Sequence, residues 1–276
     1  MALLAGFGFV LGLATGSFIS VCIRRWPVGM SVISPGSHCP DCGILIAWRD
    51  KIPVLSFFLL GRRCRYCSRP ISWRYPSVEL LNGAVWAALA ARDGGGPEFW
   101  KHAIFASMMI VLLFTDLDRR ILPDPVTLGG LGLGLVFSLV VILPAGPVGL
   151  AVASDSVPWG PRAASLAESV LAAAVFGGLL WIVGEAYYRM RRVEGLGLGD
   201  VKLIAMVGAF HGTAFGALVL VAGTLAAAAC GTFYLLLAGK PWDHPIPLGS
   251  YFAGTALVAL FAADAVLNLY WGLVLG

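Results

Sequence analysis

Two aspartates at the ends of apolar spans carry the chemistry open to this chain: Asp116 in Phe-Thr-Asp-Leu-Asp, and Asp200 in Gly-Leu-Gly-Leu-Gly-Asp. An ionisable group at a membrane boundary is expensive to keep there, so it is a functional candidate whose partner must be sought. Two carboxyls brought together share one proton, leaving one as base and the other as acid. That is the arrangement with which aspartic proteases activate water. Glycines at 195, 197 and 199 would let another backbone approach closely at the second carboxylate. On these residues alone an intramembrane aspartyl protease leads, with a proton-coupled transporter using the two aspartates as a relay behind it.

The elements that must position this pair are membrane spans. Hydrophobic residues make up 59% of the 276-residue chain and charged residues 12%, and the mean hydropathy is +0.86. A soluble domain carries about twice that charge fraction. The expected fold is therefore all-α, a polytopic helical bundle with about eight spans, at 1–22, 76–91, 101–115, 125–145, 164–188, 201–215, 216–238 and 250–274. The division inside 201–238 is the weakest of these. The 35 glycines are read mostly as small residues that let membrane helices pack closely, Gly129–Gly134 included.

Charge gives the orientation. Residues 23–75 hold nine of the nineteen basic residues, opposed only by Asp41 and Asp50. Such a loop is expected in the cytoplasm. A nucleic-acid-binding patch is set aside, because the loop is a short insert between spans. The first span has its basic flank after it rather than before, so it is read as a retained anchor with an external N-terminus. The cytoplasmic turns would hold Arg119 with Arg120, Arg189 with Arg191 and Arg192, and Lys240. External turns would hold Gly94–Gly96 and the segment from Pro144 to Pro161. Asp116 and Asp200 then fall on one side, the cytoplasmic one.

Within the basic loop, Cys39-Pro-Asp-Cys42 and Cys64-Arg-Tyr-Cys67 form two Cys-x-x-Cys knuckles separated by 21 residues. Together they supply four thiolates at tetrahedral spacing, a closed zinc site without an open position for water, and hence a structural one. His38 beside the first knuckle is superfluous as a ligand. Cys22 and Cys230, in or beside spans, are read as buried small apolar residues.

Taken in order, these residues resemble one family, the prepilin leader peptidases of type IV pili and type II secretion, also called prepilin peptidase/N-methyltransferases. The likeness runs from the Gly16–Pro27 stretch through the two knuckles with Ile52-Pro-Val-Leu-Ser between them. It continues through the Ile71–Glu79 segment, Asp116-Leu-Asp with Leu122-Pro-Asp, and Gly197-Leu-Gly-Asp-Val-Lys. The resemblance implies a bacterial inner-membrane enzyme that cleaves a short positively charged leader of a prepilin or pseudopilin after glycine, on the cytoplasmic side. It also implies methylation of the new N-terminus with S-adenosylmethionine. By matching position, Asp116 and Asp200 would be the catalytic pair, supported by Gly197, Gly199 and Lys202, with Glu79 in the methylation region. The chain divides on this reading into a first span (1–22), a cytoplasmic zinc loop associated with methylation (23–75) and a peptidase bundle (76–276).

Two positions depart from the family pattern: Lys51 stands where many members carry Asn before Ile-Pro, and Leu248-Gly-Ser-Tyr replaces a Phe-Gly-Pro-aromatic run. Neither is expected to touch the aspartate pair. Asp118 and Asp124 compete with Asp116; their plain readings are a solvated partner for Arg119 or Arg120, and a turn or N-cap residue. Asp200 could be an N-cap for a helix beginning at Val201. Glu79 is either a contact for the cofactor or substrate amine, or a first-turn carboxylate favoured by the helix dipole. Lys202 is an ion-pair partner or a modulator of the pair. Glu185 and Asp264 are read as packing residues. Presenilin-like proteases share Gly-x-Gly-Asp, but pair it with Tyr-Asp and Pro-Ala-Leu, and neither string occurs here.

Overall fold

In a computed structural model the described residues are 1–143, 146–153, 158–193, 195–239 and 246–275, without the side chains of 153, 264 and 267–275. The expected turn residues Lys240 and Pro144, and the side chain of Asp264, lie outside them. The described residues hold helices α1 (Ala2–Arg25), α2 (Leu55–Leu59), α3 (Arg74–Asp93), α4 (Pro97–Arg119), α5 (Asp124–Val140), α6 (Pro147–Ala153), α7 (Pro161–Arg191), α8 (Leu198–Ala238) and α9 (Leu248–Leu275). They contain no β-strand beyond two isolated bridges.

Among the described residues, four helices qualify by length and composition to cross a membrane: α1 with its short extension to Val28, α4, α7 and α8. The helix over Asp124–Val140 and the stretch Leu248–Ala263 are apolar but shorter. The eight spans expected from the sequence are thus not reproduced by this criterion. The expected boundary within 201–238 has a physical counterpart at Gly212, where the backbone takes φ 80° and ψ −172° inside α8. Only glycine enters that region without strain. The break frees the Thr213 N–H, and buried Glu168 of α7 accepts it at 3.1 Å together with the Thr213 hydroxyl at 2.6 Å.

The chain forms two compact units, Met1–Val111 and Leu112–Gly276. In the first, α1 lies on α3 along Gly8, Gly12 and Gly16. A Cβ at any of them would come within 2.8 Å of α3 atoms. Small residues four apart let membrane helices approach to backbone contact, where dispersion and polar bonds replace the hydrophobic effect as glue. Here the glue is Asn82, fully buried, whose Nδ2 donates to the Gly12 carbonyl at 2.7 Å and to Thr15 Oγ1 at 2.8 Å. Its Oδ1 accepts from Ser107 Oγ at 2.9 Å.

In the second unit α8 packs against α5, α7 and α9. The same device recurs: Gly208 faces the Ala172 backbone and Gly134 the backbone of Ala209 and Phe210.

Candidate active site and metal centre

Asp116 stands in the last turn of α4, 5% exposed. α4 ends just beyond it, where Arg120 turns left-handed (φ 54°) and returns its N–H to the Asp116 carbonyl at 2.8 Å. Ile121-Leu-Pro then leads straight into α5. Asp200 is the third residue of α8, whose N-cap is Gly197. The helix therefore starts three residues earlier than the N-cap alternative requires, and Asp200 lies inside its first turn. The two carboxyls are close enough for the charge on Asp116 to act on Asp200.

The start of α9 joins them. The Ser250 N–H donates to Asp116 Oδ2 at 2.6 Å, and the Ser250 hydroxyl is 2.7 Å from the same oxygen. Next to it Gly249 faces Asp200: a Cβ there would lie 3.0 Å from Asp200 Oδ1 and 2.8 Å from Leu122. This corrects the expectation that the Leu248-Gly-Ser-Tyr departure lies away from the pair. The segment is in direct contact with it, a contact that local pattern cannot reveal because 134 residues separate Ser250 from Asp116.

The supporting glycines also act differently from expectation. At Gly199 the nearest neighbour is a side chain, Leu122, 3.0 Å from where a Cβ would stand, and at Gly195 it is the Tyr187 ring. Lys202 is an ion-pair partner: its Nζ is 2.7 Å from Asp124 Oδ1. Asp124 is the first residue of α5, after the N-cap Pro123. Asp118 is exposed on the end of α4.

Beside the pair runs a groove of about 540 Å³, lined by Leu113 and Leu117 of α4, Ala222 and Ala226 of α8, and Ser250, Tyr251, Gly254, Thr255 and Val258 of α9. Its walls are mostly apolar.

In the first unit, Cys39, Cys42, Cys64 and Cys67 present their sulfurs within 4.8 Å of one another. Cys39 and Cys67 Sγ are 3.7 Å apart, against an edge of about 3.8 Å for a tetrahedron with Zn–S bonds of about 2.3 Å. The two knuckles repeat one another. Bridges pair His38 with Leu45 and Arg63 with Pro70, and each first cysteine receives a backbone N–H four residues on, Gly43 to Cys39 at 2.9 Å and Ser68 to Cys64 at 3.0 Å. The N–H groups of Cys67 and then Tyr66 hold the Cys64 thiol down to about 7, toward the thiolate that binds metal. Geometry and donor chemistry both fit zinc. Asp50 and Arg65 tie the second knuckle to the inter-knuckle segment through contacts of 2.6 and 2.8 Å. Cys22 is buried, as expected; Cys230 is exposed on α8.

Glu79 is not a first-turn residue. It lies six positions into α3, buried, and its Oε2 accepts the Val54 N–H at 2.7 Å. Val54 is the N-cap of α2 and takes φ 61°, a conformation a β-branched residue holds only when its surroundings enforce it. The carboxylate pins the inter-knuckle segment to α3. Replacing Glu79 by Ala should leave that N–H without its partner, at about 1–3 kcal/mol, and speed proteolysis between the knuckles. Glu79→Gln keeps an acceptor oxygen and should change it less. Equal protection in wild type and the Ala variant would remove the anchoring role.

Sequence reading passed over Glu168 and Ser250. A lone Glu amid the apolar 164–188 run was a usable signal for the first. Glu185, by contrast, makes a plain helical ion pair with Arg189 at 2.7 Å.

Comparison with known proteins places these features in one family. Residues 10–92 match the bacterial peptidase A24 N-terminal domain, and residues 103–236 match the type IV leader peptidase family. The chain is similar to a prepilin leader peptidase/N-methyltransferase of Aeromonas hydrophila, 31% identical over 95% of this chain and 92% of the relative. It is 36% identical to one from Myxococcus xanthus, over 86% of this chain but only 65% of that relative's length. A third, from Klebsiella pneumoniae, is 36% identical over 75% of this chain and 84% of the relative. No solved structure matches. With its paired aspartates and its four-cysteine loop each inside a matched segment, this chain belongs to the type IV leader peptidase family.

Proposed function

We propose that this chain is a membrane aspartyl endopeptidase that removes the leader of type IV prepilins or pseudopilins on the cytoplasmic side of a bacterial inner membrane. We further propose that it methylates the amine so exposed, with S-adenosylmethionine as methyl donor. The observation that carries the reading is the meeting of Asp116 and Asp200 at the start of α9, inside a family-matched membrane bundle. Of the two carboxyls, the ionised one takes a proton from water as it attacks the scissile carbonyl, and the protonated one supplies a proton to the carbonyl oxygen. The apolar groove beside Ser250 suits an extended apolar stretch flanking the scissile bond.

Zinc, held by Cys39, Cys42, Cys64 and Cys67, would supply a closed structural cross-link and no reacting water. For S-adenosylmethionine the described residues offer no glycine-rich βαβ cradle, and Glu79 is already committed to Val54. The role proposed for Glu79 in methylation is therefore placement of the loop.

Incubating the purified protein with a prepilin, with and without S-adenosylmethionine, and weighing the product tests both activities. The expected product has lost its leader and, with cofactor, gained one methyl group. Uncut prepilin in the presence of proton-coupled transport by reconstituted protein would favour the relay reading instead.

A further inference from the structure

Within the peptidase reading, on which this rests, the two carboxyls are not equivalent, and the first turn of α9 makes the difference. Asp116 Oδ2 lies within hydrogen-bond distance of two groups of one residue, the Ser250 N–H at 2.6 Å and the Ser250 hydroxyl at 2.7 Å. The hydroxyl also lies 3.3 Å from the Leu113 carbonyl. Its single proton goes to the nearer, charged acceptor, since charge-assisted bonds are the shorter and stronger ones. The N–H is one of the first-turn donors that α9 itself cannot satisfy. Asp200 is served differently: its Oδ1 is buried without a hydrogen-bond partner and faces the Cβ-less surface of Gly249. Among the described residues no donor serves that oxygen, in contrast to the two that converge on Asp116 Oδ2.

We infer that Ser250 is a positioning residue that fixes the division of labour in the pair, holding Asp116 as the ionised base and leaving Asp200 as the protonated acid. Asp116 then takes a proton from the attacking water, whose oxygen bonds to the scissile carbon. Asp200 gives its proton to the carbonyl oxygen. When the C–N bond breaks, Asp116 passes its proton to the leaving nitrogen, and the diol hydroxyl returns one to Asp200, so both carboxyls end as they began.

The charged groups facing Asp116 are Asp200 from α8 and Arg120 just past its own helix. From the described part of α9 the only titratable group is Tyr251. Lys202 is bound to Asp124. Asp116 lies at the C-terminal end of α4, where the helix dipole opposes a negative charge, and Asp200 near the N-terminus of α8, where it favours one. Ser250 must overcome that bias, and two direct charge-assisted hydrogen bonds outweigh a helix-end effect.

The test is the pH dependence of prepilin cleavage in three variants. Ser250→Ala removes the hydroxyl and keeps the N–H. Ser250→Pro removes both, at a first-turn position where a helix tolerates proline. Ser250→Thr restores the hydroxyl. The acid limb of kcat/KM, which reports ionisation of the base in the free enzyme, should move to higher pH by about one unit in the Ala variant and further in the Pro variant. In the Thr variant it should stay near wild type. An unmoved or downward-moving acid limb in the Ala and Pro variants overturns the inference, and so does a Thr variant that shifts as much as Ala. Asp116→Asn is run alongside. If it cleaves, Asp116 is not the base and the inference fails with it; if the wild type itself leaves prepilin uncut, the peptidase reading fails. If the Asn variant is dead while the Ser250 variants keep the wild-type profile, only the role of Ser250 fails.

Discussion

Asp116→Asn and Asp200→Asn are each expected to lower leader cleavage by about 10³-fold or more while the protein still inserts and accumulates. Asparagine keeps the shape of the carboxyl and one acceptor oxygen, so at position 116 it still accepts from Ser250 and the junction of α4 with α9 survives. What it cannot do is exchange a proton at working pH. Because water must be deprotonated and the carbonyl oxygen protonated in the same event, losing either partner stalls the reaction. Effects within such a unit are not additive, and the double variant should be scarcely worse than either single one. Cleavage by the wild type should trace a bell against pH, with apparent constants that belong to the pair. A single Asn variant that cleaves at the wild-type rate would transfer the role elsewhere. The neighbours are then poor substitutes: Asp118 is exposed, and Asp124 is held by Lys202 at 2.7 Å.

What the sequence made legible follows the range of the interactions concerned. The four-cysteine cluster was readable because a knuckle is local: two cysteines three apart and the backbone N–H groups that follow them close one turn. The aspartates were readable because a carboxyl at the edge of an apolar run is costly and demands a reason. Ser250 was not, since a serine in an apolar helix is commonplace and its partner is 134 residues away. The departure at Leu248-Gly-Ser-Tyr was visible, but its contact with Asp116 and Asp200 arises only when α4, α8 and α9 converge. Glu79 adds a contact that its motif does not carry. Its motif position pointed to methylation chemistry, while the fold engages it with the strained Val54 backbone. The expected division inside 201–238 was legible to within a few residues: the apolar runs change over at 215/216, and the non-helical backbone at Gly212 interrupts Leu198–Ala238 close by.

The loop between α1 and α3 should depend on its metal far more than the aspartate pair does. Across residues 26–73 only Cys39 and Phe57 are buried apolar residues, while Ile33, Trp48 and Leu59 are more than 70% exposed. A segment with so little core cannot offset its own chain entropy. Its restraints beyond turn hydrogen bonds include Arg25 donating to the Ser31 and Gly36 carbonyls at 3.0 and 3.1 Å, Asp50 paired with Arg65, Glu79 accepting from Val54, and Phe57 and Phe58 packed with Trp73. Structural zinc contributes about 10–16 kcal/mol in small zinc domains, more than those contacts together. One zinc per chain is therefore expected by metal analysis of the purified protein. Cys39→Ser or Cys64→Ser should lose it and open the loop to protease. Methylation, which the proposed function assigns to this loop, should fall at least about tenfold as its folded platform goes. Cleavage should be lowered much less, because Asp116, Asp200 and Ser250 all lie in the compact unit Leu112–Gly276 rather than in the loop's own unit, Met1–Val111. Serine is a fair test: it is nearly the shape of cysteine but a poor zinc ligand, so the effect reports metal rather than packing. Two results count against this account. Fully active protein with metal content near zero would show that the four thiols hold the loop without zinc. Equal loss of cleavage and methylation in the serine variants would mean that the loop supports the peptidase reaction directly, and that the metal serves both activities.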